Sequence, residues 1–300
     1  MSAFKKIAIA GATGNLGPAI LTALRESKLF EVTVLTRKES THQFPSDVKV
    51  QHVDYESEAS LVEALQGQDG LVSTLSSVGV GAQKLLIDAA IAAGVKRFIP
   101  SEFGSNSLNP KVAAIPIFGP KLQIQEHLKA QVTKVPSFSY TLVFPGLFLD
   151  WGLAAGLIVN VREKSATLRD GGDASISVSR LSTIGQAVVG IFEHPEETAN
   201  KAVHVRDIDT TQNQLISLAK EIDPSGEWKI EHVSTVEEEK EAYESLAKGQ
   251  VDFSVIIKFI FRAVYGEGYG GKITKDDNEL LGVTGLDVEG LKSVVKAVLA

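Results

Sequence analysis

Ile7-Ala8-Ile9-Ala10 runs directly into Gly11-Ala12-Thr13-Gly14-Asn15-Leu16-Gly17, and the apolar residues that follow, Ile20, Leu21 and Leu24, recur at helical spacing. A short apolar run, a turn punctuated by three glycines and an amphipathic helix together form a strand–loop–helix unit. Each glycine has its own task. Gly11 permits the tight turn, Gly14 lets backbone come close to a ligand, and Gly17 lets the helix start hard against the strand. The unpaired amides and the positive end of the helix dipole then favour an anion at the loop, with Thr13, Asn15 and Leu16 around it.

Beyond this unit, apolar runs at 32–35, 48–53, 70–74, 97–100 and 139–144 alternate with helical patterns near 16–27, 58–66, 80–93 and 118–133. Strands without period-two alternation are those covered by helices on both faces, so the pattern predicts a parallel sheet, with strand order 3-2-1-4-5-6. The expected fold class is α/β, a doubly wound parallel-sheet Rossmann domain over residues 1–150. After Pro145-Gly146 the texture weakens to strands near 166–169, 175–178, 202–205 and 229–233 and helices near 181–193, 211–222, 235–248, 252–265 and 287–299. We expect there, over 151–300, a smaller α+β substrate domain, with the strand near 202–205 returning to the main sheet. The apolar stretches 153–161 and 253–264 fall short of the roughly 20 residues a spanning helix needs and read as buried helices. The run Glu237-Glu238-Glu239-Lys240-Glu241 reads as a solvated helix face.

Composition narrows the function classes. With 300 residues and 44% hydrophobic content the chain has material for a large core. The absence of cysteine excludes a disulfide framework, a thiolate metal site and a cysteine nucleophile, and the chain shows no signal-peptide pattern, so a cytoplasmic protein is expected. A net charge of −7 without a basic stripe argues against nucleic acid. The histidines, among them His127 and His204, show no ligand spacing, so no metal is expected, and there is no Gly-x-Ser-x-Gly nucleophile elbow.

The end of the second strand selects the dinucleotide. An acid here would bind the ribose hydroxyls of NAD, but the chain offers Thr36-Arg37-Lys38. Arg37 suits a 2′-phosphate with its planar fork and Lys38 adds a point charge, which points to NADP(H); the alternative is two ordinary surface cations. Asp54, after the third strand, is either an acceptor for the adenine amino group or a turn former. Thr74, Ser76 and Ser77 follow the fourth strand and Ser101 and Glu102 the fifth, at the carboxyl edge where ligands of open sheets gather. Phe103, Phe144, Phe148 and Trp151 are candidates for the wall of an aromatic substrate pocket, with core packing the alternative for each.

The loop, the segment Arg97-Phe98-Ile99-Pro100-Ser101-Glu102-Phe103-Gly104, the segment Pro145-Gly146-Leu147-Phe148-Leu149-Asp150-Trp151-Gly152 and Lys121 together resemble the isoflavone reductase-like, or NmrA-like, branch of the atypical short-chain dehydrogenases. The resemblance spans most of the chain. It implies NADPH as cofactor, hydride delivery to a conjugated or aromatic small molecule, and Lys121 as general acid/base. Ordinary short-chain dehydrogenases carry Tyr-x-x-x-Lys, whereas this chain has Ile117-Phe118-Gly119-Pro120-Lys121, so the phenol donor is missing. Burial beside Ile117, Phe118 and Leu122 would lower the proton affinity of Lys121 into a useful range; its ammonium could equally hold the nicotinamide ribose. Glu102 either orients Lys121 or caps a turn. Two functions remain at this stage: a reductase, and an NADP(H)-sensing regulator without turnover.

Overall fold

The computed structural model describes residues 4–75 and 82–299. Its first half consists of strands β1 (Lys6–Ala10), β2 (Glu31–Arg37), β3 (Lys49–Val53), β4 (Gly70–Ser73), β5 (Arg97–Ile99) and β6 (Ser139–Phe144). Between them lie helices α1 (Gly17–Glu26), α2 (Glu58–Leu65), α3 (Ala82–Ala92), the single turn α4 (Pro110–Ala113) and α5 (Gly119–Lys134). The second half continues with β7 (Leu147–Phe148), α6 (Leu149–Ala154), β8 (Ser165–Arg169), β9 (Ile176–Ser179), α7 (Leu181–Glu193) and β10 (Lys201–His204). It ends with β11 (Ile208–Thr210), α8 (Gln212–Ile222), β12 (Lys229–Val233), α9 (Thr235–Ala247), α10 (Phe253–Tyr265) and α11 (Val288–Leu299).

The main sheet has the order β10-β6-β5-β4-β1-β2-β3, and every pairing in it is parallel. The fold is therefore the expected doubly wound α/β type, with β10 as a seventh strand beside β6. Side-chain alternation in β1 explains the two layers. Ile7 and Ile9 face a core with Ile20, Leu21 and Leu24 of α1 and Ile184, Val188 and Ile191 of α7. Ala8 and Ala10 face the other core, with Leu61 and Leu65 of α2, Leu86 of α3 and Leu128 of α5. One face of the sheet is thus closed by a helix from the second half of the chain.

Arg97 fastens that arrangement. Although only 2% exposed, it meets no carboxylate among the described residues; it donates to Ser139 Oγ at 2.7 Å, to Thr141 Oγ1 and Thr198 Oγ1 at 3.0 and 2.9 Å, and to the Pro195 carbonyl. It therefore ties β5 and β6 to the link between α7 and β10.

The rest of the second half forms a sheet β11-β9-β7 and a pair β12-β8, with a core of its own around Leu153, Val178, Leu215, Phe261 and Leu291. Two sequence expectations fail here. Only the start of 153–161 is helical, because α6 ends at Ala154 and the chain turns at Gly156 with φ of 68°. The acidic run is no purely solvated face either: Glu238 pairs with Arg169 at 3.0 Å and Glu239 with Arg262 at 2.9 Å, all four side chains being mostly buried. A helical wheel shows charge but not the arginines that the tertiary fold brings to it. No helix among the described residues is long and apolar enough to cross a membrane.

Candidate active site

Gly11 opens the loop after β1 with φ of +89°, a conformation that suits glycine. Thr74 locks the loop from β4: its N–H and Oγ1 both donate to the Ala10 carbonyl, and Oγ1 also lies 2.9 Å from the Gly11 carbonyl. A Cβ on Gly17 would stand 2.2 Å from the Gly11 oxygen, so only glycine lets α1 begin this close to the loop. A Cβ on Gly14, by contrast, would meet nothing nearer than 3.5 Å. The protein itself does not demand glycine there, since both neighbours would stand at ordinary contact distance. Among the described residues the N–H groups of Ala12, Thr13, Asn15 and Leu16 donate to no protein acceptor. The loop is thus a set of unspent donors at the head of a ten-residue helix.

These residues line a cleft of about 630 Å³ along the carboxyl edge of the sheet. Its wall includes Gly11, Thr13, Gly14, Asn15 and Leu16, then Arg37 from β2, Thr74 after β4, Ser101 and Glu102 after β5, Lys121 from α5, and the rings of Phe103 and Phe148. Strands β2, β1, β4 and β5 are consecutive neighbours in the sheet. The exits of β2 and β5 are therefore three strand spacings apart, about 14 Å, with the glycine loop between them; Lys121, on α5, meets the β5 exit at the Glu102 carbonyl. Arg37 is exposed, and its guanidinium has no ion pair among the described residues.

Lys121 is the half-buried end of this row. Its ammonium donates to the backbone carbonyl of Glu102. Burial pulls its proton affinity below the ordinary lysine value, and the charge of Glu102 works the other way. The Glu102 side chain turns from the cleft into the core, where its oxygens accept from Ser107 Oγ at 2.9 Å and Gln125 Nε2 at 3.0 Å. The contact between Glu102 and Lys121 thus runs through the backbone carbonyl and not through the carboxylate.

Other candidates are placed differently. Lys38 and Asp54 lie outside the cleft wall and face each other at 3.6 Å; the Asp54 carboxylate also accepts from the Glu56 N–H, so it is a turn former. Gly17 is buried packing. The Thr74 and Ser101 hydroxyls are already donating, the latter to the Leu75 carbonyl at 2.7 Å. Ser76 and Ser77 lie outside the described residues. Phe144 is 1% exposed core and borders a second cavity of about 530 Å³ with His204, whose ring lies 5.5 Å from its own. Trp151 lines neither cavity and packs edge-on to Phe148. Alternation within the chain could not tell these faces apart, because β6 is buried on both. His127 holds Asp88 at 2.6 Å, and no cluster of metal ligands occurs among the described residues.

Sequence reasoning missed Tyr55, Phe44, Ser107 and Gln125. Tyr55 lines the cleft and donates to the Leu35 carbonyl at 3.0 Å; burial pushes its phenol up, so it stays neutral. Its place one residue past Asp54, at the exit of β3, was the available signal. Gln125 had another: it follows Lys121 by one helical turn.

A sequence model of the NmrA-like family matches residues 3–223. The chain belongs to the NmrA-like family. This NmrA-like chain is 31% identical over 298 residues to oxidoreductase aprR of Aspergillus flavus, covering 98% of each chain. It is 30% identical over 245 residues to phenylcoumaran benzylic ether reductase PT1 of Pinus taeda, covering 74% of this chain and 77% of that one. Among solved structures, AtPrR2 with NADP+ and (+)pinoresinol shares the fold with a TM-score of 0.79 at 21% identity, covering 99% of this chain and 100% of that chain.

Proposed function

We propose that this NmrA-like chain is an NADPH-dependent reductase that delivers hydride to a conjugated or aromatic small molecule. One observation carries it: a single cleft holds unspent loop amides, an arginine with no ion pair among the described residues and a half-buried lysine along the sheet edge. The loop amides would hold the pyrophosphate, and Arg37 would grip the 2′-phosphate, which NADH lacks. The relatives agree in kind, being an oxidoreductase and a phenylcoumaran benzylic ether reductase, and AtPrR2 was seen with NADP+ and (+)pinoresinol.

When bound, NADPH supplies the hydride. Phe103 and Phe148 give the cleft apolar walls that exclude water and suit an aromatic ring. Lys121 Nζ holds the proton that balances the hydride, giving it up to the oxygen or carbon on which negative charge develops. With Ile117 where a tyrosine would stand, the phenol donor of ordinary short-chain dehydrogenases is missing from that position.

The test is NADPH consumption with a panel of enones and quinone-like phenolics by the wild type and Lys121→Ala. Turnover that falls about 100-fold or more in the variant supports the assignment. Equal rates would remove Lys121 from the mechanism. NADPH binding without turnover on any member of the panel would favour the sensing role instead.

A further inference from the structure

Three buried side chains around the Lys121 contact are unexplained by cofactor binding or by simple packing. Glu102, Ser107 and Gln125 are 1%, 0% and 2% exposed. The Glu102 carboxylate takes one hydrogen bond from Ser107 and one from Gln125, whose amide nitrogen also lies 2.7 Å from Ser107 Oγ. No cation touches that carboxylate among the described residues. A buried carboxylate held only by neutral donors is costly, and structures keep one where it does something. α5 grips the same glutamate twice, through Lys121 on its carbonyl and, one turn later, through Gln125 on its carboxylate.

We propose that Glu102 is a positioning residue: clamped by Ser107 and Gln125, it fixes the Lys121 ammonium at the cleft wall through its carbonyl and holds a carboxylate behind it. Resting on the role given to Lys121 above, this explains why the lysine meets a carbonyl and not a carboxylate. A direct ion pair would hold the proton too firmly for transfer. Without any counter-charge, desolvation would favour the neutral amine. Glu102 is the one charged group whose field acts on Lys121 among the described residues of the elements around it. Removing that negative charge destabilises the ammonium, so deprotonation moves to lower pH.

Competitive acetylation with acetic anhydride across pH, read at the Lys121 peptide by mass spectrometry, measures that deprotonation in the full-length protein without any turnover. Glu102→Gln keeps the shape and removes the charge; its Lys121 midpoint is expected to fall by about one pH unit or more. The high-pH limb of kcat/KM, where Lys121 loses its proton, is expected to fall with it. Should Glu102→Gln fail to fold, Gln125→Met keeps the bulk but withdraws one donor from the carboxylate, and a smaller shift in the same direction is expected. A midpoint unmoved in a folded variant overturns the proposal. If Lys121→Ala turns over normally while the acetylation midpoint still responds to Glu102→Gln, the lysine's catalytic role fails but its coupling to Glu102 stands.

Discussion

Arg37 and Gly17 show how much a single residue decides in this chain. Arg37 ends β2 at the cleft with an uncommitted guanidinium, while its neighbour Lys38 is turned toward Asp54. Arg37→Ala is therefore expected to weaken NADPH binding by about 10-fold to 100-fold and to leave NADH binding nearly unchanged, as titration calorimetry would show. An equal loss for both dinucleotides would mean that Arg37 does not read the 2′-phosphate. Gly17→Ala places a methyl 2.2 Å from the Gly11 oxygen and forces the loop to move. We expect it to cost about 2 kcal/mol of stability in urea unfolding and to lower NADPH affinity as well. The glycines and Arg37 were legible in the sequence because their roles depend on backbone geometry and on immediate neighbours. The direction taken by the Glu102 carboxylate was not legible, since Ser107 and Gln125 reach it only through the packing of α5.

At the scale of elements, position in the sheet assigns the work. The exits of β2, β1, β4 and β5 form the cleft because they are adjacent in the sheet, although they are scattered along the chain. Arg97 holds β5 and β6 in place against the α7–β10 link, and without it four neutral acceptors would lose the hydrogen bond it donates. Arg97→Met should lower stability by about 3 kcal/mol, measured by urea unfolding, with little change in the NADPH affinity of the folded fraction. A variant as stable as the wild type would show that this buried guanidinium holds nothing together. Boundaries of elements were readable wherever apolar spacing was regular. The stretch 153–161 misled because an apolar composition does not by itself distinguish a helix from a buried irregular segment.

Across the whole molecule, the two halves share a core. α7 lays Ile184, Val188 and Ile191 against Ile7, Ile9 and Ile20, and β10 pairs with β6. A fragment of residues 1–150 would expose that face and the β6 edge to water. It is expected to lack near-ultraviolet dichroism and a cooperative urea transition. Cooperative unfolding of the fragment alone would show that the first half completes its own core.

The sequence by itself determined the strand–loop–helix unit, the parallel alternation and the choice of Arg37 over an acid, because each follows from spacing and chemistry within a few residues. Tertiary structure alone decided that the strand expected to return to the main sheet does so beside β6, that Phe148 faces the cleft while Phe144 is core, that Glu238 and Glu239 are paired with arginines, and that the Glu102 carbonyl meets Lys121. Those outcomes depend on burial and hydrogen bonds between residues far apart in the chain, and such energies exist only once the elements have packed.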